Sequence, residues 1–206
     1  MLKRIRSTII YLALTQTMSW YFTAAVLPQQ SFAEALVQKY TNKQYGFTVD
    51  TPPDWLLHER PGSSGASNTS PAKDVMLVAT ERPRGGPNSF NPNITVAVRD
   101  IPEVVNLNDR KKVEDFAIQI LKSVPLVSGG NDVHTFTKDN LLVVQQDFQY
   151  SPVYAGKEVP LSVTVTAIIS VRHGRCFLVT STAPTETFAR YQPIFRDYIQ
   201  SFSEVD

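Results

Sequence analysis

The chain has 206 residues, with 20 Lys and Arg against 19 Asp and Glu, 42% hydrophobic residues, 14 Pro and one Cys. Ordinary apolar content excludes a disordered chain, and a lone Cys excludes a disulfide-stapled one. A net charge of +1 lacks the excess of a dedicated nucleic-acid binder, so no nucleic-acid partner is expected.

Residues 1–33 stand apart. Lys3, Arg4 and Arg6 form a basic start, and Ser7 to Leu27 carries no charge. Ser31-Phe32-Ala33 then gives a small-x-small pattern before Glu34, the first acidic residue. This layout predicts a secretory signal peptide cleaved between Ala33 and Glu34, with an uncleaved anchor as the alternative. There is no twin-arginine pair, and no Cys near the cleavage site for a lipid anchor. Removing three cations from a chain of net +1 leaves −2 on residues 34–206, enough chain for one domain.

Beyond it, Tyr45, Phe47 and Val49 alternate with Gly46, Thr48 and Asp50, which predicts a half-buried strand ended by Pro52 and Pro53. Residues 58–74, with Pro61, Gly62, Gly65 and Pro71, read as loop. Val75–Thr80 reads as a buried strand, and Ile94, Val96 and Val98 mark another. Val113, Phe116, Ala117, Ile120 and Leu121 follow helical spacing, capped by Asn106 or Asn108 and stopped by Pro125.

Strands follow over Val133–Thr137, Leu141–Tyr150 and Leu161–Val171. The last alternates apolar residues with Ser162, Thr164, Thr166 and Ser170, so one face is expected in the core and the other toward water or a thin layer. Arg172-His173-Gly174-Arg175 predicts a two-residue hairpin turn into Cys176–Ser181. Phe188, Tyr191, Ile194, Phe195, Tyr198, Ile199 and Phe202 give a second helix, starting near Thr185-Glu186 and expected to kink or restart at Pro193. The fold class is therefore α+β: an antiparallel sheet of about six strands sandwiched by two helices.

Tyr45-Gly46-Phe47, then Pro52 or Pro53, then Trp55, opens the mature chain. A mid-chain helix, a hairpin turning at His173-Gly174-Arg175 into Cys176-Phe177-Leu178, and a closing Ser201-Phe202 complete the order. Over about residues 38–203 this resembles the PsbP family, whose sandwich is shared by the DcrB-like group of exported bacterial domains. The resemblance implies fold more directly than role, because these are packing motifs. It implies an extrinsic, non-catalytic subunit or assembly factor of a membrane complex such as photosystem II, at the oxygen-evolving side. The location would be the thylakoid lumen or periplasm, peripheral to the membrane. Calcium enters only as an association of the family, and no cofactor-binding motif transfers to this chain.

No Gly-x-Ser-x-Gly elbow occurs, and Cys176 lies in an apolar run, so no catalytic residue is assigned and the protein is not expected to be an enzyme. Asp132 and His134, two apart, would point to one side of a strand. They are metal candidates that lack the third ligand a site needs. Arg82 with Arg84, and Arg110, Lys111 and Lys112, are basic clusters that would steer a monomer onto an acidic partner. The alternative function is a small-molecule-binding module of the envelope, with Ser162, Thr164, Thr166 and Ser170 lining a pocket if no helix covers them.

Overall fold

A computed structural model describes residues 37–59, 75–83, 89–123, 132–154 and 156–206. The expected signal peptide with its Ala33/Glu34 junction, most of the 58–74 loop, Arg84 and Pro125 lie outside the described residues. Among the described residues no helix is long and apolar enough to cross a membrane.

The strands are β1 (Gln38–Asn42), β2 (Phe47–Thr51), β3 (Trp55–Glu59), β4 (Val75–Glu81), β5 (Asn93–Asp100), β6 (Val133–Lys138) and β7 (Leu141–Tyr150). They continue with β8 (Val153–Tyr154), β9 (Lys157–Glu158), β10 (Leu161–Ser170), β11 (Arg175–Pro184) and β12 (Ser203–Glu204). Among the described residues two helices, α1 (Arg110–Ser123) and α2 (Phe188–Ser201), complete the order. The main sheet has seven strands, β3-β4-β5-β11-β10-β7-β6, every neighbouring pair antiparallel. The expected α+β sandwich is present, with seven strands where about six were predicted.

The sequence pattern missed a second sheet. The Phe47–Val49 strand does not join the main sheet; β2 lies between β1 and the C-terminal β12. Pro52 and Pro53 end it, Trp55 N–H closes a turn onto the Pro52 carbonyl, and Trp55 then starts β3 at the edge of the main sheet. Gly46 sits in the turn before β2 with φ +70°. A Cβ there would stand 3.1 Å from the Val205 carbonyl, so the residue must be small as well as left-handed.

Parity along the strands assigns the layers. Val163, Val165, Ala167 and Ile169 of β10, with Leu142, Val144, Cys176 and Leu178, pack under Val113, Ala117 and Leu121 of α1. The other face carries Ile94, Val96, Val98, Val143, Ile168, Phe177 and Val179. Tyr191, Phe195, Tyr198 and Ile199 of α2, and Phe47 and Val49 of β2, cover it. All ten residues of β10 are buried, so of the two alternatives for its second face, water or a thin layer, the covered one holds.

Three local expectations also change. The β10–β11 connection is a four-residue turn, Val171–Gly174, because Ser170 pairs with Arg175; Gly174 does supply positive φ, at +61°. Helix α1 begins one residue after Asp109, whose carboxylate accepts from Lys112 N–H at 3.3 Å, so Asp109 rather than Asn106 or Asn108 satisfies the open turn. Helix α2 runs unbroken through Pro193. The proline falls in its second turn, where the bond it forgoes leads to exposed Ala189.

Candidate functional site

Two surfaces have enough chemistry to be considered, one on each side of the main sheet. The first is the N-terminal end of α1. Arg110, Lys111 and Lys112 are consecutive and exposed there. Three cations at the positive end of a helix are unfavourable by about 0.3–1 kcal/mol each at low salt. Local pairing offsets part of this: Lys111 lies 3.7 Å from Asp115 and Lys112 lies 3.9 Å from Asp109. Arg110 donates to Thr137 Oγ1 at 3.2 Å. Beside Arg110 runs a shallow groove of 180 Å³ with Leu107, Val113, Leu142 and Val171 among its lining residues. This end therefore combines a small apolar depression with a cationic margin.

Arg82 is exposed but does not join this cluster. It follows β4, next to the start of β5, whereas the segment leading to α1 leaves from the opposite end of β5. The antiparallel pairing thus separates two groups that looked equivalent as sequence.

The second surface is a cleft of 300 Å³ between α2 and the sheet. Gln145 and Asp147 on β7, Thr164 on β10 and Phe136 on β6 line the sheet side; Gln192, Phe195, Arg196, Ile199 and Gln200 line the helix side. Thr164 Oγ1 donates to Asp147 Oδ1 at 2.6 Å. Of the polar face expected on β10, only Thr164 reaches the cleft. Ser162 is hydrogen-bonded to Thr185 through their hydroxyls, Ser170 accepts from His173 N–H, and Thr166 is buried. The pattern missed Gln145 and Asp147 although they share Thr164's face by strand parity. It also missed Gln192, Arg196 and Gln200, whose i, i+4, i+8 spacing along a helix edge was the available signal.

The remaining candidates stay apart. Cys176 is fully buried under α1, and burial pushes its thiol up to about 12, a core thiol rather than a nucleophile. His173 lies in the β10–β11 turn with Nε2 near Gly46 in the turn before β2, whereas Cys176 packs in the core under α1, so the two do not form a dyad. Asp132 and His134 are both exposed. Among the described residues no three His, Cys, Asp or Glu side chains gather, so these two lack a third such ligand there.

No protein-family model and no curated protein sequence matches the chain. Solved structures do. Cyanobacterial PsbP (CyanoP) from Synechocystis is 15% identical, with 84% of this chain and 95% of that chain covered at a TM-score of 0.50. A protein of Bacteroides thetaiotaomicron is 10% identical over 82% of this chain and 49% of that one, at 0.51. LpqN of Mycobacterium tuberculosis, described as involved in cell envelope biogenesis, is 19% identical over 83% and 92%, at 0.48. The fold is PsbP-like.

Proposed function

We propose that the protein is a non-catalytic accessory or assembly factor, exported to a thylakoid lumen or periplasm, that docks as a monomer on a membrane complex of the photosystem II type. One observation carries the reading: Arg110, Lys111 and Lys112 crowd the positive end of α1, where charge is costly, beside the apolar groove of Leu107, Val113 and Val171. Cations kept against the local field suit an acidic partner, and an apolar depression inside a charged margin is how interfaces are commonly built. The PsbP-like fold supports the choice of complex.

The test is recovery of the tagged protein from gently solubilised native membranes at low and high salt. Photosystem subunits should accompany it at low salt and dissociate as salt rises. They should be lost when Arg110, Lys111 and Lys112 are all changed to Gln. An empty pull-down, with the protein free in the soluble exported fraction, overturns the proposal. The 300 Å³ polar cleft under α2 favours a second reading, a small-molecule-binding module of the envelope.

A further inference from the structure

The cleft under α2 departs from the rule its own sheet obeys. Sheet positions beneath a helix are ordinarily apolar. On this face β5 presents Ile94, Val96 and Val98, and β11 presents Phe177 and Val179. Toward the β6 edge the same layer instead offers Gln145, Asp147 and Thr164. Departures of this kind concentrate at functional positions. The Thr164–Asp147 bond fixes one carboxylate oxygen while the exposed Asp147 keeps further lone pairs for another donor. Opposite, Gln192, Arg196 and Gln200 stand in one row along α2, all exposed. Below them Phe195 and Ile199 are buried and Phe136 is half-buried.

This lining is selective. The lining carries one carboxylate, Asp147, and one guanidinium, Arg196, which lies 4.0 Å from Asp197 outside the cleft, so charge of neither sign is concentrated there. Three primary amides each place a donor beside an acceptor, which matches vicinal hydroxyl groups. An apolar floor inside a polar rim matches a pyranose ring, whose C–H face is flat and whose hydroxyls project around the edge. A volume of 300 Å³ lies at the small end of ligand sites, too small for a dinucleotide.

We infer that this cleft binds a neutral mono- or disaccharide, its ring against the half-buried Phe136 and its hydroxyls bonded by Gln145, Asp147, Gln192 and Gln200. The inference rests on the second reading above, in which the cleft is a small-molecule site.

An NMR titration of the isotope-labelled full-length protein tests it, with glucose, N-acetylglucosamine and maltose as probes and trialanine as a peptide probe. At least one sugar should shift the side-chain amide resonances of Gln145, Gln192 and Gln200 saturably. Gln192→Ala and Asp147→Asn should each weaken that binding about tenfold, the value of one polar contact near 1.4 kcal/mol. Gln119→Ala, an exposed position on α1, should leave it unchanged. If trialanine moves these resonances and no sugar does, the sugar assignment fails and the small-molecule reading stands. If no probe moves them, both fail. Equal binding by Gln192→Ala and Asp147→Asn overturns the location.

Discussion

Phe47→Ala should destabilise the protein by about 4 kcal/mol. Phe47 is fully buried at the junction of three elements. Its ring stacks on Phe202 at 5.2 Å and 7° and meets Phe177 edge-on at 5.2 Å. It also tilts against Tyr40 at 5.9 Å. Phe-to-Ala changes at buried sites cost about 3–5 kcal/mol. The neighbours here are a main-sheet strand, the residue that closes α2 and the small sheet, none free to collapse into the space, which places the cost in the upper half of that range. For a domain of this size 1 kcal/mol moves Tm by about 2–4 °C, so a fall of about 8–16 °C is expected. Urea unfolding should be followed by circular dichroism and by fluorescence of Trp55, in a Trp20→Phe background that leaves Trp55 as the sole indole. Trp55 packs edge-on against Tyr191 and Phe195 and so reports the same core. Phe47→Leu, which keeps most of the volume, should cost no more than about 1.5 kcal/mol. A loss below about 2 kcal/mol for Phe47→Ala refutes the reasoning. So does a Trp55 transition that stays in place while the dichroism transition moves, because the small sheet would then not fold with the main one.

Alkaline pH should destabilise the fold. Burial raises the Cys176 thiol from 9.0 to about 12, so between those values the native state holds a proton that the unfolded state has lost. Stability should therefore fall with rising pH by up to about 1.4 kcal/mol per unit, and burial of the Tyr198 hydroxyl adds to the fall above pH 10. Urea midpoints from pH 8 to 11 measure it; Cys176→Ala should flatten the profile, and a flat wild-type profile refutes the cause. Gly174→Ala should cost about 1–2 kcal/mol from its left-handed φ alone, since a Cβ there meets only Leu107 at 3.9 Å. Gly46→Ala should cost more, because its Cβ also crowds the Val205 carbonyl; equal losses in urea melts would remove that contact from the argument. Lys111→Gln with Lys112→Gln should change stability by less than about 0.5 kcal/mol, since relief at the helix end offsets two exposed ion pairs. A loss above 1 kcal/mol by urea titration would mean that these cations are structural.

Much of this architecture can be read from periodicity. Alternation in Leu161–Val171 and the stripe of Val113, Ala117 and Leu121 identify a strand and a helix, because a single local pattern decides them, although the strand proves buried on both faces. Three kinds of feature escape. The small sheet depends on β12, two residues from the end of α2, pairing with β2 more than 150 residues earlier, and no local signal encodes that partner. Strand β1 is largely exposed, so it has no apolar alternation to detect. Pro193 reads as a breaker, yet in the second turn it removes a bond whose acceptor water can satisfy. The site was less legible still. Thr164 was visible as a polar residue on an apolar strand. Its partners Asp147 and Gln145 became meaningful only with the register that sets Thr164 opposite Asp147 and Thr166 opposite Gln145.

That register also explains how one sheet presents two unlike surfaces. On β7, Val144 supports α1 while Gln145 lines the cleft under α2; on β10, Val163 and Thr164 divide in the same way. Adjacent residues on a strand point to opposite faces, so the cationic groove beside α1 and the cleft under α2 are separated by the thickness of the sheet. A partner seated on Arg110 and Lys111 therefore has no need to cover Gln192 or Arg196. Docking and ligand capture are compatible in one molecule. Their independence is itself open to measurement: saturating the cleft should leave the salt dependence of docking unchanged, because two sites that share strands but no side chains have no common polar group through which to couple.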